Sequence, residues 1–441
     1  MTSCAIDPQY SLKHPVNIPK TWHARDKHIT YKSTDNLICM PWWRQYHDAM
    51  LNQLIAQGLQ HNNDIHVAMA NVEAAQGELK RVELNWIPTL GGNVGYSSFP
   101  YLGYPGVLVT AVPTYTLNIF GQIKEQQRAH YEIKITKAMR DSVKLTVIAQ
   151  IAGSYFSYLA QVEQLQLLKK IDNDLTESVL INQALYKGGL YSDINLVNAK
   201  KDLNLIKAEE NVVKHNLVLS QNSIQYLIDK NPDSLHITRK FRQVDNHQLV
   251  IGSLPLNIIE HRPDMTESIN ELKASNAGVG LAISNFLPTI QLSAARGDIA
   301  TVPNGTTLGT PIYFNQALLQ QPMITLTSLG QLDKFRALNK AAYYRYVNTV
   351  RKVLRDVDNH LSAHEYYSQR LDNTIDAQHN IERNYQLHDD LYRQGIISYL
   401  SLLEEKIKRD KINILVNKHK LEQTITVVNL YQALAVGYGC S

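Results

Sequence analysis

The feature that most constrains the fold of this chain is an internal duplication. Residues 64–90 align without a gap with residues 264–290, and both segments begin with Asp and end just after a Pro-Thr pair. Two further matches follow in the same order, residues 115–123 with 324–332 and residues 185–192 with 391–398. Chance similarity would not preserve this order, so the 441 residues are predicted to contain two copies of one structural unit.

Each copy is predicted to contain long, uninterrupted helices. The chain has only 21 glycines and 15 prolines, about 8% of its residues against a usual level near 12%. Between Gly121 and Lys187 there is no proline and only one further glycine, Gly153. A helix over this stretch would be about 100 Å long at 1.5 Å per residue.

A narrow apolar stripe follows the helix that returns from each long helix. In the first copy the stripe includes Leu196 and Leu203, and in the second Leu400, Ile407 and Ile414 recur every seven residues. Such a stripe packs against neighbouring helices, as in a coiled coil. Because one chain has too little stripe to form a core alone, we expect it to oligomerise.

Two strands are predicted between the helices of each copy. Pro88 and Pro288 end the preceding helices, and the apolar alternation behind them is weak, as for strands with lipid on one side and water on the other. The predicted strands are Thr89–Ser97, Val112–Ile119, Thr289–Ala295 and Met323–Ser328. The predicted turn-rich connections are Tyr101–Gly106 and Pro303–Gly309. We therefore expect the order helix, strand, strand, long helix, tip, long helix in each copy.

No catalytic or nucleic-acid-binding pattern is present in the sequence. Apolar residues make up 44% and charged residues 19%, and the net charge of +4 is not concentrated in a basic stripe. There is no G-x-S-x-G, P-loop or H-E-x-x-H motif, so we predict neither an enzyme nor a cofactor site. Gly278-Val279-Gly280 is interpreted as close helix packing. His360 and His364 have zinc-ligand spacing but no third ligand, so a solvated helix face is favoured over a metal site.

The domain boundaries follow from the duplication and from the Asn231-Pro232 stop. The predicted segments are an N-terminal segment with a belt helix (1–62), the first repeat (63–232), a linker (233–260), the second repeat (261–436) and a tail (437–441).

With this organisation, the chain resembles the TolC-like outer-membrane efflux family, specifically its lipoprotein branch. The most specific pieces are Trp42-Trp43-Arg44, Glu260-His261-Arg262-Pro263-Asp264 and the ending Val428-Asn429-Leu430-Tyr431-Gln432-Ala433-Leu434. The resemblance implies an α+β membrane protein. Three protomers would each give four strands to one twelve-stranded β-barrel, which long helices continue as a periplasmic tunnel.

The resemblance also implies a function and partners. The expected function is the outer-membrane channel of a tripartite efflux or secretion system, with a homotrimer, a periplasmic adaptor, an inner-membrane pump and outer-membrane lipid as partners. Drugs, metal ions and secreted polypeptides all remain candidate substrates. The alternative is a periplasmic or surface coiled-coil scaffold or adhesin without a channel, which would not explain two strand pairs inserted between helices.

Three sites follow from the resemblance. Cys4 precedes a proline-rich segment like the one after the family's acylated cysteine, although no basic and apolar leader precedes it, so an unmodified thiol is the alternative. The helix reversals of the two copies are expected to dock the adaptor, with an ordinary helix turn as the alternative. The residues assigned to these tips are Lys187, Gly189 and Ser192, and Arg393, Gly395 and Ser398. Leu400 and Glu404 are expected near the closed periplasmic aperture, with a solvated helix flank as the alternative.

Overall fold

A computed structural model describes most of the chain. The described residues are 17–23, 30–31, 37–97, 106–235, 237–246, 251–252, 261–301, 308–322 and 326–439. Cys4 lies outside them, as do parts of the predicted connections and of the predicted linker.

Seven α-helices form within the described residues, and their lengths repeat between the two copies. The helices are α1 (Ala49–His61), α2 (Asn63–Leu84), α3 (Ile119–Lys187), α4 (Asp193–Leu227), α5 (Pro263–Ser284), α6 (Leu326–Arg393) and α7 (Tyr399–Ala433). α2 and α5 have 22 residues each, α3 and α6 have 69 and 68, and α4 and α7 have 35 each. The predicted long helices and the predicted duplication are confirmed.

Four strands form one antiparallel sheet. They are β2 (Thr89–Ser97), β3 (Gly106–Leu117), β5 (Thr289–Thr301) and β6 (Leu308–Gln320), in the order β2-β3-β5-β6. A separate short parallel pair joins β1 (Thr30–Tyr31) to β4 (Ile251–Gly252). Within the described part of the chain, no further strand pairs with β2 or β6, so both are edge strands of the four-stranded sheet.

Two of the four predicted strands were misplaced. The strand predicted at Val112–Ile119 begins earlier, at Gly106, and Ile119 is already the first residue of α3. The strand predicted at Met323–Ser328 is wrong, because Leu326–Ser328 belong to α6 and the strand lies at Leu308–Gln320. Polar residues and a proline interrupt the apolar pattern of that strand, so no regular alternation marks it in the sequence.

The other two strands and the connections were predicted more closely. Thr89–Ser97 is confirmed, and the strand predicted at Thr289–Ala295 continues to Thr301. Gly106 and Gly309 were assigned to turns but lie in strands. The longer strands suit a bilayer, which a tilted strand crosses in about 9–11 residues.

The chain divides into two compact units. The described parts of the first are residue 17, 68–97, 106–139, 264–301, 308–322 and 326–350, and this unit contains the four-stranded sheet. The second unit comprises the described residues within 18–67, 140–263 and 351–439. Among the helices that the structure describes, none has the length and the hydrophobicity that a membrane crossing demands.

Close helix packing in the first unit explains the glycine pair of α5. A Cβ atom on Gly278 would lie 3.0 Å from a ring carbon of Phe335, and one on Gly280 would lie 2.8 Å from Lys124 Cδ. Val279 between them is fully buried. The interpretation of Gly278-Val279-Gly280 as a packing motif is therefore confirmed.

A buried carboxylate organises the second unit. Asp48 is the N-cap of α1, and its Oδ1 accepts from the N–H groups of Met50 and Leu51 at 3.0 and 3.2 Å. Its Oδ2 accepts from the Tyr155 hydroxyl at 2.6 Å and lies 3.4 Å from Arg239 Nη1. Because Asp48 is only 5% exposed, these contacts replace the water that its charge gives up. They connect α1, α3 and the segment after α4.

The hydrogen bond from Tyr155 to Asp48 gives a stability prediction. Burial, together with the hydrogen bond to Asp48, raises the pKa of Tyr155 well above its usual value, so the hydroxyl donates throughout the physiological range. Tyr155→Phe removes this donor from a buried charge and should cost about 1.5–3 kcal/mol. Chemical denaturation measures the loss. Tyr226→Phe, at an exposed position of α4, is the matched control and should be nearly neutral; equal stability of the two variants would contradict the assignment.

Candidate functional site

The first helix reversal is closed by a glycine in the left-handed conformation. Gly189 has φ of 71°, and its N–H donates to Tyr186 O at 3.0 Å. The next N–H, of Leu190, donates to Leu185 O at 2.9 Å. This pair of bonds is a Schellman motif, which satisfies carbonyl groups that the end of α3 would otherwise leave unpaired.

The second reversal repeats the first bond for bond. Gly395 has φ of 73°, its N–H donates to Tyr392 O at 2.9 Å, and the Ile396 N–H donates to Leu391 O at 3.0 Å. A tight reversal at each of the two glycines is therefore confirmed. It arises in both copies because a residue without Cβ adopts positive φ at little cost.

The two serines of the tips begin the returning helices. Ser192 Oγ accepts from the Ile194 N–H at 3.2 Å, and Ser398 Oγ accepts from the Ser401 N–H at 3.2 Å. Both serines are thus helix N-caps, a role that the resemblance did not assign to them.

The two basic residues of the tips are both exposed to solvent. Lys187 and Arg393 end α3 and α6, and Arg393 Nη2 lies 2.6 Å from Asp389 Oδ2, one turn back. A cation at a helix C-terminus is favourable beside the helix dipole. Asp389 of the same helix therefore partly neutralises the charge of Arg393.

The first tip also has an exposed apolar face, which the sequence analysis missed. Leu190, Ile194 and Val197 are 74%, 69% and 55% exposed, although they are aliphatic. Their spacing of four and three residues places Ile194 and Val197 on one face at the start of α4, with Leu190 just before them. The spacing is present in the sequence, but it overlaps the more regular seven-residue stripe through Leu196. We call Leu190, Ile194 and Val197 the tip face.

The residues expected near the aperture differ in their exposure on α7. Leu400 is buried, and one turn further on Leu403 and Ile407 pack in a cluster with Ile171 and Leu175 of α3. Glu404 is exposed. It shares its helix face with Lys408 and Lys411, four and seven residues along. Hydrogen bonding to Glu405 raises the pKa of Lys408, and the nearby charges of Glu405 and Glu404 add to the effect.

Two polar contacts connect α7 to α3 near the reversals. Lys406 Nζ lies 2.7 Å from Asp174 Oδ1, and the Tyr399 hydroxyl donates to Glu177 Oε2 at 3.1 Å. Asp174 is only 5% exposed, so Lys406 compensates a buried charge. Sequence spacing gives no indication of such pairs, because the partners lie in different copies.

A ladder of polar pairs fixes α6 against α7 in antiparallel register. Gln378 Nε2 donates to Asn413 Oδ1 at 2.8 Å, and Asn384 Nδ2 donates to Glu405 Oε2 at 2.8 Å. The other rungs are Arg370 with Glu422 at 2.8 Å, Ser368 with Gln423 at 3.1 Å and Thr374 with His419 at 2.8 Å. We call this set the polar ladder.

One interpretation of the histidines of α6 is corrected by the structure. His364 is 3% exposed rather than solvated, because it lies on the stripe that also buries Val357 and Leu361. His360 is partly buried, and this burial lowers its pKa. Within the described residues, no three His, Cys, Asp or Glu side chains are arranged to hold a metal ion.

The reversals give a prediction about backbone strain. A Cβ atom at Gly189 or Gly395 would meet no other atom within 4 Å, so only the positive φ opposes a side chain there. Gly189→Val and Gly395→Val should therefore cost about 1–3 kcal/mol locally. Hydrogen exchange of the tip amides should speed up in both variants. Gly188→Ala is the control, since a Cβ there would be at ordinary contact distance, 3.4 Å from Ala184 O. Equal exchange in all three would contradict the strain argument.

Comparison with known proteins agrees with this geometry. The family model described as outer membrane efflux protein matches residues 54–228 and 254–436. The chain is 25% identical to the probable efflux pump outer membrane protein TtgC of Pseudomonas putida, over 99% of this chain and 93% of that protein. It is 20% identical to the probable outer membrane lipoprotein SilC of Salmonella typhimurium, over 98% and 95%.

Solved structures share the fold. The open state of the Neisseria gonorrhoeae MtrE outer membrane channel superposes with a TM-score of 0.84 at 21% identity, covering 98% of each chain. The outer-membrane channel OprN gives a TM-score of 0.82 at 20% identity, covering 99% of this chain and all of that one. With more than half of its residues matched by the family model, the chain belongs to the outer membrane efflux protein family.

Proposed function

We propose that three copies of this chain assemble into one conduit through the outer membrane and the periplasm, for export by a tripartite pump. The observation that carries the proposal is the four-stranded sheet, whose edge strands β2 and β6 have no further partner among the residues that the structure describes. Lipid cannot hydrogen-bond a free strand edge, so only a closed barrel is stable there. Pairing β2 of each copy with β6 of the next would close the sheet.

The sheet also has a face suited to lipid. Leu90 and Val94 of β2 lie on the same side as Val109 of β3, which is directly opposite Val94. Ile290 of β5 is opposite Leu319 of β6 on that side. All five side chains are exposed in the single chain, which water would not favour. A scaffold or adhesin without a channel would have no use for this face.

Proline substitutions test whether the edge is paired. The N–H groups of neighbouring residues in a strand point to opposite sides, so at a free edge one of two adjacent positions tolerates proline. If β2 pairs with a second copy, both Asn93→Pro and Val94→Pro should abolish the trimer. Light scattering of detergent-extracted protein gives the assembly mass. Survival of the trimer in either variant would contradict edge pairing, and Val109→Pro in the central strand β3 is the control that must fail.

Lipidation would add a second means of membrane attachment. An acyl chain on Cys4 would anchor the N-terminus to the outer membrane, and the relative SilC is described as a lipoprotein. One acyl chain binds a membrane only weakly, so the anchor would support the barrel rather than replace it.

The two reversals are proposed as the docking surface for a periplasmic adaptor. The tip face supports this role, because exposed aliphatic side chains at a helix end are typical of a surface that another protein covers. Lys187 and Arg393 at the same ends add positive charge. The names of relatives such as TtgC include the words efflux pump, which implies that further components complete the export path.

A charge placed on the tip face tests the docking proposal. Ile194→Asp would bury an unpaired carboxylate against the adaptor, so drug resistance should fall toward that of cells lacking the channel. The trimer yield in the outer membrane should stay unchanged. Lys200→Asp introduces the same residue at an exposed site further along α4 and should leave resistance intact. Full resistance in Ile194→Asp cells would contradict docking at this face.

A ring of three Glu404 side chains is proposed to line the aperture. The exposure of Glu404 on α7 is consistent with contact with the lumen. Leu400, which is buried, would hold the constriction in place by packing within the helix pair. Charges near a common axis interact when they lie within the Debye length, about 8 Å at physiological salt. Such a ring would favour cations, although Lys408 on the same face reduces the net charge.

Single-channel recordings test the ring. Glu404→Gln should lower cation selectivity, Glu404→Lys should reverse it, and Leu400→Ala should raise the leak conductance. Glu405→Gln is the matched control, because Glu405 is bonded within the protomer to Asn384 and Lys408. Unchanged selectivity in both Glu404 variants would place this residue outside the lumen.

Small organic molecules are the substrate class that the relatives favour. Two proteins of Pseudomonas putida, 25% and 23% identical to this chain, are described as components of toluene and solvent efflux pumps. We propose that this channel passes molecules of that kind, with their selection made by the inner-membrane pump.

A further inference from the structure

A positively charged side chain interrupts the apolar face of the four-stranded sheet. That face includes Ile290 of β5 and its ladder partner Leu319. Residues two apart in a strand share a face, so Leu292 and Arg296 lie on it as well. Arg296 is exposed, and its ladder partner is Tyr313 of β6. A charge on a face that meets lipid is destabilising unless it lies near the membrane boundary, so the position of Arg296 requires an explanation.

One edge of the Arg296 guanidinium is bonded within the sheet, and the other edge is not. Its Nη1 donates to Ala295 O at 3.0 Å and to Phe314 O at 3.4 Å, and its Cζ lies 5.8 Å from the centre of the Tyr313 ring. Among the described residues, none accepts a hydrogen bond from Nε or Nη2, and none places a carboxylate at ion-pair distance. These two N–H groups form a planar fork that matches two oxygens of a phosphate group.

The place of Arg296 along β5 puts it toward the exterior. All four strands adjoin helices at one end, near Thr289 in β5, and are joined in pairs at the other end. With the helices in the periplasm, the paired ends face outward. An apolar band about 25 Å tall takes about ten residues of a strand tilted by about 40°. Counted from Thr289, this band ends near Asp298, so the long side chain of Arg296 reaches its outer boundary.

We propose that Arg296 binds the phosphate group of an anionic lipid in the outer leaflet of the membrane. The lipid phosphate would accept from Nε and Nη2, which lipid tails cannot satisfy. Tyr313 beside it is an aromatic side chain of the kind that is enriched at membrane boundaries. Asp298 follows on the same face, and its carboxylate suits the hydroxyl or ammonium groups that accompany a lipid phosphate. The proposal rests on the proposed channel, because it requires this face of the sheet to lie in lipid.

Native mass spectrometry of the detergent-solubilised protein tests the site. The probes are lipid A with its phosphate groups, lipid A without them, and inorganic phosphate. The phosphorylated lipid should bind at up to one molecule per protomer, and removal of its phosphates should weaken binding about tenfold or more. Equal binding of the two lipids would overturn the proposal. Displacement of the lipid by inorganic phosphate would also overturn it, since the site would then recognise the free ion.

Variants assign the binding to the guanidinium. Arg296→Gln should bind the phosphorylated lipid about tenfold more weakly, and Arg296→Lys should be intermediate because it keeps the charge without the fork. Asp298→Asn should not weaken binding. Arg351→Gln, at an exposed position of α6 outside the sheet, is the matched control and should bind like the wild type. Wild-type affinity in Arg296→Gln, or equal losses in Arg296→Gln and Arg351→Gln, would overturn the proposal.

The same spectra separate this site from the proposed channel, because they report the assembly mass together with the bound lipid. A wild-type trimer that binds no phosphorylated lipid would overturn the lipid site and leave the channel proposal standing. A wild-type monomer would overturn both. Arg296→Gln should remain a trimer, so that its loss of lipid reflects the missing side chain.

Discussion

Unsatisfied backbone hydrogen bonds along β2 and β6 are the constraint on which the architecture depends. Each residue of an edge strand that faces lipid must pair its N–H and C=O groups, and the sheet of the described residues has four strands with two open edges. A single copy therefore has no stable place in a membrane. The exposed apolar face of the sheet is a surface that becomes useful only in the assembly.

The duplication gives this assembly two nearly equal halves, yet the halves are not equivalent. Both reversals use the same Schellman motif and a serine cap, because both connect a long helix to a 35-residue one. Around these duplicated turns the surfaces differ. Ile194 and Val197 are exposed, whereas Leu400 and Leu403, at the equivalent positions of the second copy, are buried. The duplicated backbone thus leaves apolar side chains exposed at the start of α4 and packs them at the start of α7.

The sequence predicted the helices and the reversals well, because their signals are local. Each signal depends on residues within a few helical turns of one another. The absence of proline and the seven-residue stripe indicate the helices, and the glycine three residues before Ser192 or Ser398 indicates the reversal. The strand at Leu308–Gln320 was missed because Gly309, Pro311 and Asn315 interrupt its alternation, and the alternation of one barrel strand is a weak signal. His364 was predicted to be solvated because histidine is polar. Its burial depends on side chains elsewhere in the chain, which the sequence around residue 364 does not reveal.

The polar ladder restricts how the length of such a protein can change over evolution. Its rungs are antiparallel pairs, so inserting one residue in α6 would rotate the remainder by about 100° and leave every later rung unmatched. Insertions of seven residues, made in both helices at once, return the helix face to within about 20° and would restore the pairs. The nearly equal helix lengths in the two copies extend this requirement to α3 and α4. Tunnels of this kind should therefore differ in length by whole steps of about 10 Å, the rise of one heptad.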